Sequence, residues 1–354
     1  MKKTSLNDIA KSLGVSKTLV SMVLNGHGTK NGISKQTQEK VHAKARELNY
    51  KPNQIARGLR TGKSNTIGLI VADISNPFYA KLARHIEHYC SLANYNVIFC
   101  SSEEEPHKEA ELLDMLADRQ VDGIILSATG QDSNQILKLK RDGIPFVLID
   151  RYYPRLDNNF VGVDNYQSAY DLTDHLIRLG YNRIAHLTVS PSHASSLRDR
   201  YKGYRAALKD ANIRYSSQYY QEVSFEEPEA GVNRAIRELL EPPHIVNAIF
   251  AANNRLAVTA LEVFNKWNIK IPQDVALVSF DDMDLFKFCF PPITAVAQPI
   301  QEIGKHAVEL LIHHIENKEK NPPTHQIILP TKLEIRRSCG NFLTPLETLP
   351  IKTK

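Results

Sequence analysis

Hydroxyl and cationic side chains recur at short intervals near the amino end of the sequence. Lys17, Thr18, Ser21 and Met22 occupy positions i, i+1, i+4 and i+5, which share one face of a helix. Their hydrogen-bonding groups and thioether suit the donors, acceptors and methyl groups that base edges display in the major groove of DNA. We therefore expect this face to read DNA bases.

Polar and aromatic side chains follow several apolar runs in the rest of the sequence. Carboxylates, amides and guanidinium groups can form paired hydrogen bonds with hydroxyls, and aromatic rings can stack on an apolar ring face. The residues predicted to bind a small molecule are Asp73, Asn76, Phe78, Tyr79, Ser127, Asp150, Arg151, Arg200, Phe225, Asn253 and Asp281. We expect a sugar because acids, an amide and aromatic rings occur together, and a purine is the alternative.

Some of these polar residues also have a purely structural interpretation. Asp73 and Asp282 could cap helices, since a carboxylate at a helix start accepts backbone N–H groups. Arg151 could pair with an acid across the binding site. The sequence leaves both interpretations open.

Other chemistries lack their motifs in the sequence. It contains no Walker A loop, no G-x-G-x-x-G and no G-x-S-x-G nucleophile elbow. The histidine pairs His85/His88 and His313/His314 lack cysteine or acidic ligands at metal spacing, so we interpret them as solvated helix faces. The four cysteines are widely separated, which predicts scattered thiols. We therefore expect no enzymatic activity, no metal and no cofactor.

Three short helices should position the DNA-reading face. Ser5 and Asp8 form a capping box at the first helix, Ser16 caps the second, and a third starts at Ser34. Gly14 supplies the turn between the first two helices. The apolar residues that should form their common core are Leu6, Ile9, Ala10, Leu13, Leu19, Val20, Val23, Val41, Ala45 and Leu48. This pattern predicts an all-α helix-turn-helix domain over residues 1–50.

A hinge is predicted over residues 51–63, with Pro52 near the start of a short helix. A helix of fewer than about 12 residues is marginal alone in water, so this one should form only with support from DNA and a partner subunit. Leu59 is predicted to wedge open a minor-groove base step. Residues 1–63 carry a formal charge of +10 and the remainder −5, which is typical of a polyanion-binding head on an acidic body.

From Thr66 onwards, apolar runs alternate with amphipathic stretches in two successive series. This alternation predicts two lobes, each a doubly wound parallel sheet flanked by helices. The predicted effector-binding domain spans 64–340, with lobe 1 over about 64–164 and 294–326 and lobe 2 over about 165–293 and 327–340. Ligands of such sheets bind beyond the carboxyl ends of the strands, so the cleft between the lobes is the expected site. The tail, 341–354, contains Pro345 and Pro350 and no heptad, which argues against a helical tetramerisation tail.

The sequence resembles the LacI/GalR family in a series of ordered motifs. They begin with LNDIAKSLGVSKTLVSMVLNG, ELNYKPNQIARGL and IGLIVADISNPFYAKL, and continue through VDGIIL, RIAHLT, RYKGYRAAL, AIFAANN, VALVSFDD, PPITAVAQP and LPTKLEIRRS. The resemblance spans nearly the whole chain. It implies a helix-turn-helix domain followed by an α/β two-lobed body like that of periplasmic binding proteins. Met22, the Gly-rich loop Gly26–Gly32 and Asn254 depart from the usual family pattern.

The resemblance implies a homodimeric transcription regulator that binds a pseudo-palindromic operator. Arg200, Asn253 and Asp281 match family positions that commonly touch effector. The residues expected to contact DNA are Ser5, Ser16, Lys17, Thr18, Ser21, Met22, Asn25, Lys35, Tyr50, Asn53, Ala56, Arg57, Leu59 and Arg60. Lys35, Arg57 and Arg60 among them are expected on phosphates. The sequence leaves open whether the ligand weakens or strengthens DNA binding.

Two rival functions share parts of this pattern. A periplasmic solute-binding protein would have the two-lobed body, but the basic head and the lack of a signal-like apolar segment argue against it. An enzyme with an accessory DNA module would show turnover of its ligand. No apolar run approaches the roughly 20 residues of a membrane helix. We expect a cytoplasmic protein, associated with the nucleoid when it is bound to DNA.

Overall fold

A computed structural model describes residues 4–50, 63–130, 133–154, 156–190, 193–317 and 323–340. The chain divides into two compact units, Met1–Ser64 and Asn65–Lys354. The predicted hinge helix, the Leu59 wedge and the DNA contacts of Asn53, Ala56, Arg57 and Arg60 lie outside the described residues. The same holds for the tail beyond residue 340.

The smaller unit, here the head, contains helices α1 (Leu6–Leu13), α2 (Lys17–Leu24) and α3 (Lys35–Glu47). The predicted capping box is confirmed, because the Ser5 N–H donates to the Asp8 carboxylate while the Asp8 N–H donates to Ser5 Oγ. The Ser16 and Ser34 hydroxyl oxygens accept from the Leu19 and Thr37 N–H groups and so cap α2 and α3 without the reciprocal bond. Each such cap is worth about 1 kcal/mol. Ile9, Val20 and Val41 meet in a fully buried core, as predicted from their spacing.

The Gly-rich loop between α2 and α3 is fixed to α3 by Gln38. The Gln38 side-chain amide donates to the Ile33 carbonyl at 2.8 Å and to Thr29 Oγ1 at 3.3 Å. A Cβ atom at Gly28 would lie 2.6 Å from Gln38 Cδ, so glycine is needed for this close approach. The longer loop is therefore a packed extension of α3.

The larger unit, here the body, alternates strands with helices. Its strands are β1 (Thr66–Val71), β2 (Asn96–Ser101), β3 (Gly123–Leu126), β4 (Phe146–Ile149), β5 (Phe160–Val163), β6 (Ile184–Ser190), β7 (Tyr220–Ser224), β8 (Ala248–Ala251), β9 (Ala276–Phe280), β10 (Thr294–Ala297), β11 (Gln326–Leu329) and β12 (Lys332–Glu334). Its helices are α4 (Pro77–Leu92), α5 (Pro106–Asp118), α6 (Asn134–Arg141), α7 (Asn165–Arg178), α8 (Ser195–Asp210), α9 (Pro228–Leu240), α10 (Asn254–Trp267) and α11 (Ile300–Glu316). Among the described residues, no helix is long and apolar enough to cross a membrane.

The strands form two six-stranded sheets within the described residues. The first has the order β11-β5-β4-β3-β1-β2 and is parallel throughout. The second has the order β12-β10-β9-β8-β6-β7, and only β12 runs antiparallel to its neighbour. The predicted pair of doubly wound sheets is therefore confirmed.

The predicted lobe boundaries were wrong near the carboxyl end. Thr294–Ala297 was assigned to the first lobe but pairs with β9 in the second sheet, with Thr294 opposite Val278. Gln326–Leu329, assigned mainly to the second lobe, pairs with β5 in the first sheet. A short apolar run carries no information about which sheet it joins, and the chain crosses only after β10, just before α11 packs on the first sheet.

Alternating residues of β1 explain how the first sheet holds helices on both faces. Ile67, Leu69 and Val71 pack with residues of α4 and α11, whereas Ile70 packs with residues of α5 and α6 on the other face. The side chains of a strand alternate between faces, so a strand covered on both faces is apolar throughout. Both sheets thus present only their edges and strand ends to other groups.

Candidate functional site

A cavity lies between the lobes at the carboxyl ends of both sheets. The space open to the centre of a water-sized sphere measures about 120 Å³, which is enough for several waters or a small ligand. Ten of the predicted ligand-binding residues line it: Asp73, Asn76, Phe78, Tyr79, Asp150, Arg151, Arg200, Phe225, Asn253 and Asp281. Parallel strands bring these residues together because their carboxyl ends meet at one edge. Direct contact with a ligand stays a prediction.

Arg200 is fixed in place by groups of the second lobe. Its Nε donates to Asn165 Oδ1 at 2.8 Å, and one terminal nitrogen donates to the Ala252 carbonyl at 2.7 Å. That nitrogen also lies 3.3 Å from Asp281 Oδ2. The guanidinium stacks on the Phe280 ring, 3.6 Å from its centroid. Arg200 is therefore oriented before any ligand arrives.

Asp281 links this arrangement to the connection between the lobes. Its backbone has a φ of +67°, a left-handed conformation that Asp tolerates better than most residues. Oδ1 accepts a hydrogen bond of 2.6 Å from the amide of Gln298, which lies where the chain crosses towards α11. Burial raises the pKa of Asp281, and Arg200 partly offsets this effect. A change at Asp281 can therefore reach the crossing segment directly.

The first-lobe wall contains a matching aspartate. Asp150 follows β4 with a φ of +62°, and its Oδ2 accepts a hydrogen bond of 2.8 Å from the Tyr79 hydroxyl. Ser127 Oγ donates to the same hydroxyl at 3.2 Å. Ser127 is fully buried and does not appear on the cavity wall, so the structure places it behind Tyr79. Its predicted contact with ligand is replaced by a contact with Tyr79.

Arg151 is held by an acid of its own lobe. Its two terminal nitrogens donate to the two oxygens of Glu104 at 2.6 and 2.5 Å, and one of them also reaches the Ala128 carbonyl at 3.2 Å. The alternative in which Arg151 pairs with an acid across the cleft is therefore not what the structure has, because the acid belongs to the same lobe. The reason is the loop after β2, which carries Glu104 into the cavity.

That loop has a strained backbone. Glu103 and Glu104 have φ values of +56° and +60°, and a left-handed conformation costs a residue with a Cβ atom roughly 1–2 kcal/mol. Such strain persists where surrounding contacts hold it, and it is concentrated at functional sites. Here the contacts that hold the loop include the Glu104–Arg151 pair, an ion pair of 2.8 Å between Glu103 and Lys108, and a hydrogen bond from the Glu104 N–H to the Ala72 carbonyl.

Several hydrogen bonds and ion pairs join the two lobes across the cleft. The Tyr152 N–H donates to Ser195 Oγ at 2.8 Å, and the Tyr152 hydroxyl donates to Asp199 at 2.6 Å. Asn254 Nδ2 donates to Asn76 Oδ1 at 2.9 Å. The departure at Asn254 thus has a structural use, since an ionised Asp could not donate this bond. The lobes are held in contact by polar groups that water could replace.

Neither Asp73 nor Asp282 caps a helix. Asp73 accepts from the N–H and hydroxyl of Ser75 and lies 3.7 Å from Arg255, whereas the cap of α4 is Asn76. Asp282 forms a bidentate ion pair with Arg336, so the interpretation of Asp282 as a helix cap was wrong. Asn253 does cap α10, where its Oδ1 accepts from the Leu256 N–H.

Sequence reasoning missed about half of the cavity wall. The additional lining residues are Glu104, Pro106, Thr129, Val189, Ser190, His193, Ala194, Ser196, Leu197, Ser224, Pro228, Arg255 and Leu256. Most of them follow β2, β3, β6 and β7 or begin the next helix, so the strand-end rule would have found them had it been applied to every strand. Behind Thr129 lies Glu109, whose pKa burial raises to about 7. Its Oε2 accepts the Thr129 N–H at 2.6 Å.

The head displays part of its predicted DNA-binding face. Lys17 and Thr18 are exposed at the start of α2, and Ser21 and Met22 are half-buried. Asn25 differs, because its side-chain amide donates back to the Ser21 carbonyl at 2.6 Å. Of the other predicted contacts, Ser5 and Ser16 act as caps, Lys35 is exposed at the start of α3, and Tyr50 packs against the core. The first turn of α2 contains no acid, so a phosphate would meet no like charge on this turn, although Ser16 already occupies the Leu19 N–H.

Comparison with known proteins matches both units of the fold. The family model "Bacterial regulatory proteins, lacI family" matches residues 5–53, and "Periplasmic binding protein-like domain" matches residues 173–339. The ribose operon repressor of Halalkalibacterium halodurans is 34% identical over 340 residues, which are 95% of this chain and 97% of that protein. This agreement confirms the predicted fold class.

Two solved structures show a similar architecture. The complex of the transcriptional regulator CelR with cellobiose is 28% identical, with a TM-score of 0.70, and the match covers 95% of this chain and all of that one. A LacI family regulator from Enterococcus faecium with bound ribose is 29% identical, with a TM-score of 0.67, over 77% of this chain and 98% of that one. The chain belongs to the LacI family of bacterial regulatory proteins. It is a DNA-binding transcription regulator and not an enzyme.

Proposed function

We propose that this protein is a homodimeric repressor whose affinity for a pseudo-palindromic operator changes when a sugar binds between the lobes. The observation that carries the proposal is the cavity, whose wall is shared by both lobes. A ligand that touches both walls binds one lobe arrangement better than others, which is what a regulatory ligand requires. The protein would act in the cytoplasm, where it would meet its operator.

The chemistry of the cavity favours a sugar over a purine. Acidic side chains and Asn253 can accept or donate hydrogen bonds to several hydroxyls, while Phe78 and Phe225 offer apolar ring faces. The names of the ribose operon repressor and of the ribose and cellobiose complexes support the same class. A purine could also stack on these rings, but its ring offers fewer donors to the four acids of the wall than a sugar has hydroxyls.

An exposed apolar surface on the second lobe supports the dimer. Leu285, Phe288 and Phe290 are 49%, 82% and 99% exposed. Apolar groups clustered on a surface are typical of an interaction site. A second copy is the expected occupant, because a pseudo-palindromic operator needs two heads related by a two-fold axis.

Ligand binding would act on DNA through the lobes. A ligand that closes the cleft would shift the first lobes of the dimer and separate the two hinge segments. The short hinge helix predicted from the sequence over residues 51–63 would then lose the support of DNA and of the partner subunit, and the heads would lose their rigid connection. This sequence of events predicts an inducible repressor, in which the ligand weakens operator binding.

The test is footprinting of the full-length protein on DNA from its own upstream region at fixed salt, with a panel of sugars and nucleobases. Salt must be constant because phosphate contacts make the affinity steeply dependent on ionic strength. We expect protection of two symmetric half-sites that a sugar abolishes. Protection that appears only with a nucleobase would replace this proposal with a co-repressed regulator. The lack of any protection would overturn it.

A further inference from the structure

Charged groups of the described cavity wall are already paired with one another. Four acids and three arginines line it: Asp73, Glu104, Asp150, Asp281, Arg151, Arg200 and Arg255. Each arginine has a carboxylate neighbour, at 2.5 Å for Arg151, 3.3 Å for Arg200 and 3.7 Å for Arg255. Together these acids and arginines carry a formal charge of −1. An anionic ligand would therefore meet arginines that each have an acid beside them on this described wall, and the most loosely held of these is Arg255, whose side chain is 37% exposed.

Helix starts are the other usual anion-binding groups at such a cleft. Those of α4 and α10 are occupied by the side chains of Asn76 and Asn253. Helices α5 and α9 begin with Pro106 and Pro228, so each lacks the N–H of its first residue, and each has an acid, Glu109 or Glu229, in its first turn. Among the described helix starts on the cavity wall, those of α5, α8 and α9 have no side-chain cap. Their remaining N–H groups can donate to the hydroxyls of a neutral ligand.

Glu104 neutralises the positive charge of Arg151 on the first-lobe wall. It occupies both terminal nitrogens of Arg151, and a guanidinium with this geometry would otherwise suit a phosphate or carboxylate. The left-handed backbone at Glu103 and Glu104 directs the carboxylate into this position, although it is unfavourable in isolation. The loop is therefore built around the ion pair.

We propose that the cleft takes an uncharged ligand and that Glu104 excludes phosphorylated and carboxylated analogues by occupying Arg151. The inference rests on the proposed function, in that the cleft is taken as the ligand site. It assigns Glu104 as a residue that determines specificity. It also excludes sugar phosphates from the class of effectors.

The experiment compares neutral and phosphorylated members of the same pair by calorimetry at fixed salt. The probes are D-ribose with D-ribose 5-phosphate, D-glucose with D-glucose 6-phosphate, and inorganic phosphate. The wild-type full-length protein should bind each phosphorylated sugar at least tenfold more weakly than its neutral partner. A wild-type protein that binds a phosphorylated member as tightly overturns the inference, whatever the variants do.

The variant Glu104→Gln removes the charge but keeps one oxygen for Arg151. We expect its affinity for inorganic phosphate and for the phosphorylated sugars to rise about tenfold or more, the usual worth of a charge-assisted hydrogen bond. Glu105→Gln is the matched control, because Glu105 is exposed on the same loop and is outside the cavity wall. Glu104→Asp keeps the charge and should still exclude phosphate. Equal phosphate binding by Glu104→Gln and Glu105→Gln would overturn the inference.

Operator affinity, measured on the same samples, separates this inference from the proposed function. A neutral sugar that binds without changing operator affinity contradicts the proposed regulation but leaves the exclusion of phosphate intact. A phosphorylated sugar that binds the wild type tightly and releases the operator supports ligand control and overturns the inference. The two failures are therefore distinguishable.

Discussion

The two walls of the cleft follow one plan but hold their arginines differently. Each wall has an aspartate in a left-handed conformation directly after a strand, Asp150 in the first lobe and Asp281 in the second. In the second lobe, Arg200 is fixed by the Ala252 carbonyl, the Asn165 amide oxygen and the Phe280 ring, with the Asp281 carboxylate 3.3 Å away. In the first lobe, Arg151 depends on the acid Glu104 at the end of a strained loop. The arginine of the second wall is thus held by several kinds of contact, whereas the arginine of the first wall is held mainly by one ion pair.

This difference suggests how the two walls divide their work. A fixed arginine orients ligand hydroxyls at little cost in entropy, because its own freedom is already lost on folding. A wall whose arginine is held by an ion pair can instead change its preference for neutral or charged ligands through a single substitution of the acid. Retuning of the first wall should therefore change specificity, while damage to the second wall should abolish binding and lower stability.

Replacement of Arg200 should have the largest effect. In Arg200→Met, the Asp281 carboxylate, the Asn165 side chain and the Ala252 carbonyl lose a donor inside the protein. Removal of one partner from a buried ion pair costs about 3–5 kcal/mol. We expect that loss in the free energy of unfolding of the body, together with loss of sugar binding. Urea denaturation measures the first and calorimetry the second.

Lys209→Met is the control for that change. Lys209 lies exposed in the last turn of the same helix, so the same new side chain should change stability little. Should Arg200→Met unfold at the wild-type urea midpoint, the second wall would not be the rigid one and the comparison would fail.

The second prediction concerns the pH dependence of stability that buried Glu109 causes behind the first wall. Burial raises its pKa from 4.5 to about 7, so the folded protein pays an increasing cost to ionise it as the pH rises. Below pH 4.5 the group is neutral in both states and contributes no penalty. Between pH 4.5 and 7 the wild type should therefore lose stability relative to Glu109→Gln, by about 3 kcal/mol in total. Unfolding free energies at pH 4 and pH 8 measure this difference.

Asp118→Asn is the matched control, since Asp118 is exposed on the same helix and takes part in none of the ion pairs found among the described residues. Its difference from the wild type should stay nearly constant over the same pH range. A Glu109→Gln variant that shows the same constant difference would mean that Glu109 ionises at its ordinary pKa, and that the acid behind the first wall is not held neutral by burial.

Much of the cleft could be predicted because parallel strands leave little choice about where their ends lie. Asp73, Asp150 and Asp281 directly follow apolar runs, so the type of sheet alone brings them together. The head was equally predictable, because the N-cap residues Ser5, Ser16 and Ser34 mark the start of each helix in the sequence itself. Local signals determined these parts.

The remaining features depend on contacts between distant residues. Glu104 has no signature, because its position follows from a left-handed backbone at two consecutive glutamates and from an arginine 47 positions later. Ser127 follows a strand as expected, yet packing turns it towards Tyr79. The strand Thr294–Ala297 pairs with β9 in the second sheet, and the chain reaches the first sheet only with the following helix, α11. Such choices are made by tertiary packing, which sequence periodicity does not encode.

The smallest expected effect concerns a contact that joins the two walls. Tyr152 of the first lobe donates its hydroxyl to Asp199 of the second at 2.6 Å. Its loss in Tyr152→Phe should cost about 1 kcal/mol of the closed arrangement. Sugar affinity should therefore fall about fivefold, because the ligand must then supply that free energy on closing the cleft.

The control is Tyr170→Phe, which deletes a similar hydroxyl bond of 3.1 Å to Asp210 within the second lobe. That variant should bind sugar like the wild type, since both partners move together. Calorimetric titration of the two variants with one sugar compares their sugar affinities. A lower affinity in Tyr152→Phe alone would show that its hydrogen bond stabilises the closed cleft and not only the folded body. Equal affinities would mean that Tyr152 does not couple the walls, and the difference between them would then be confined to how each holds its own arginine.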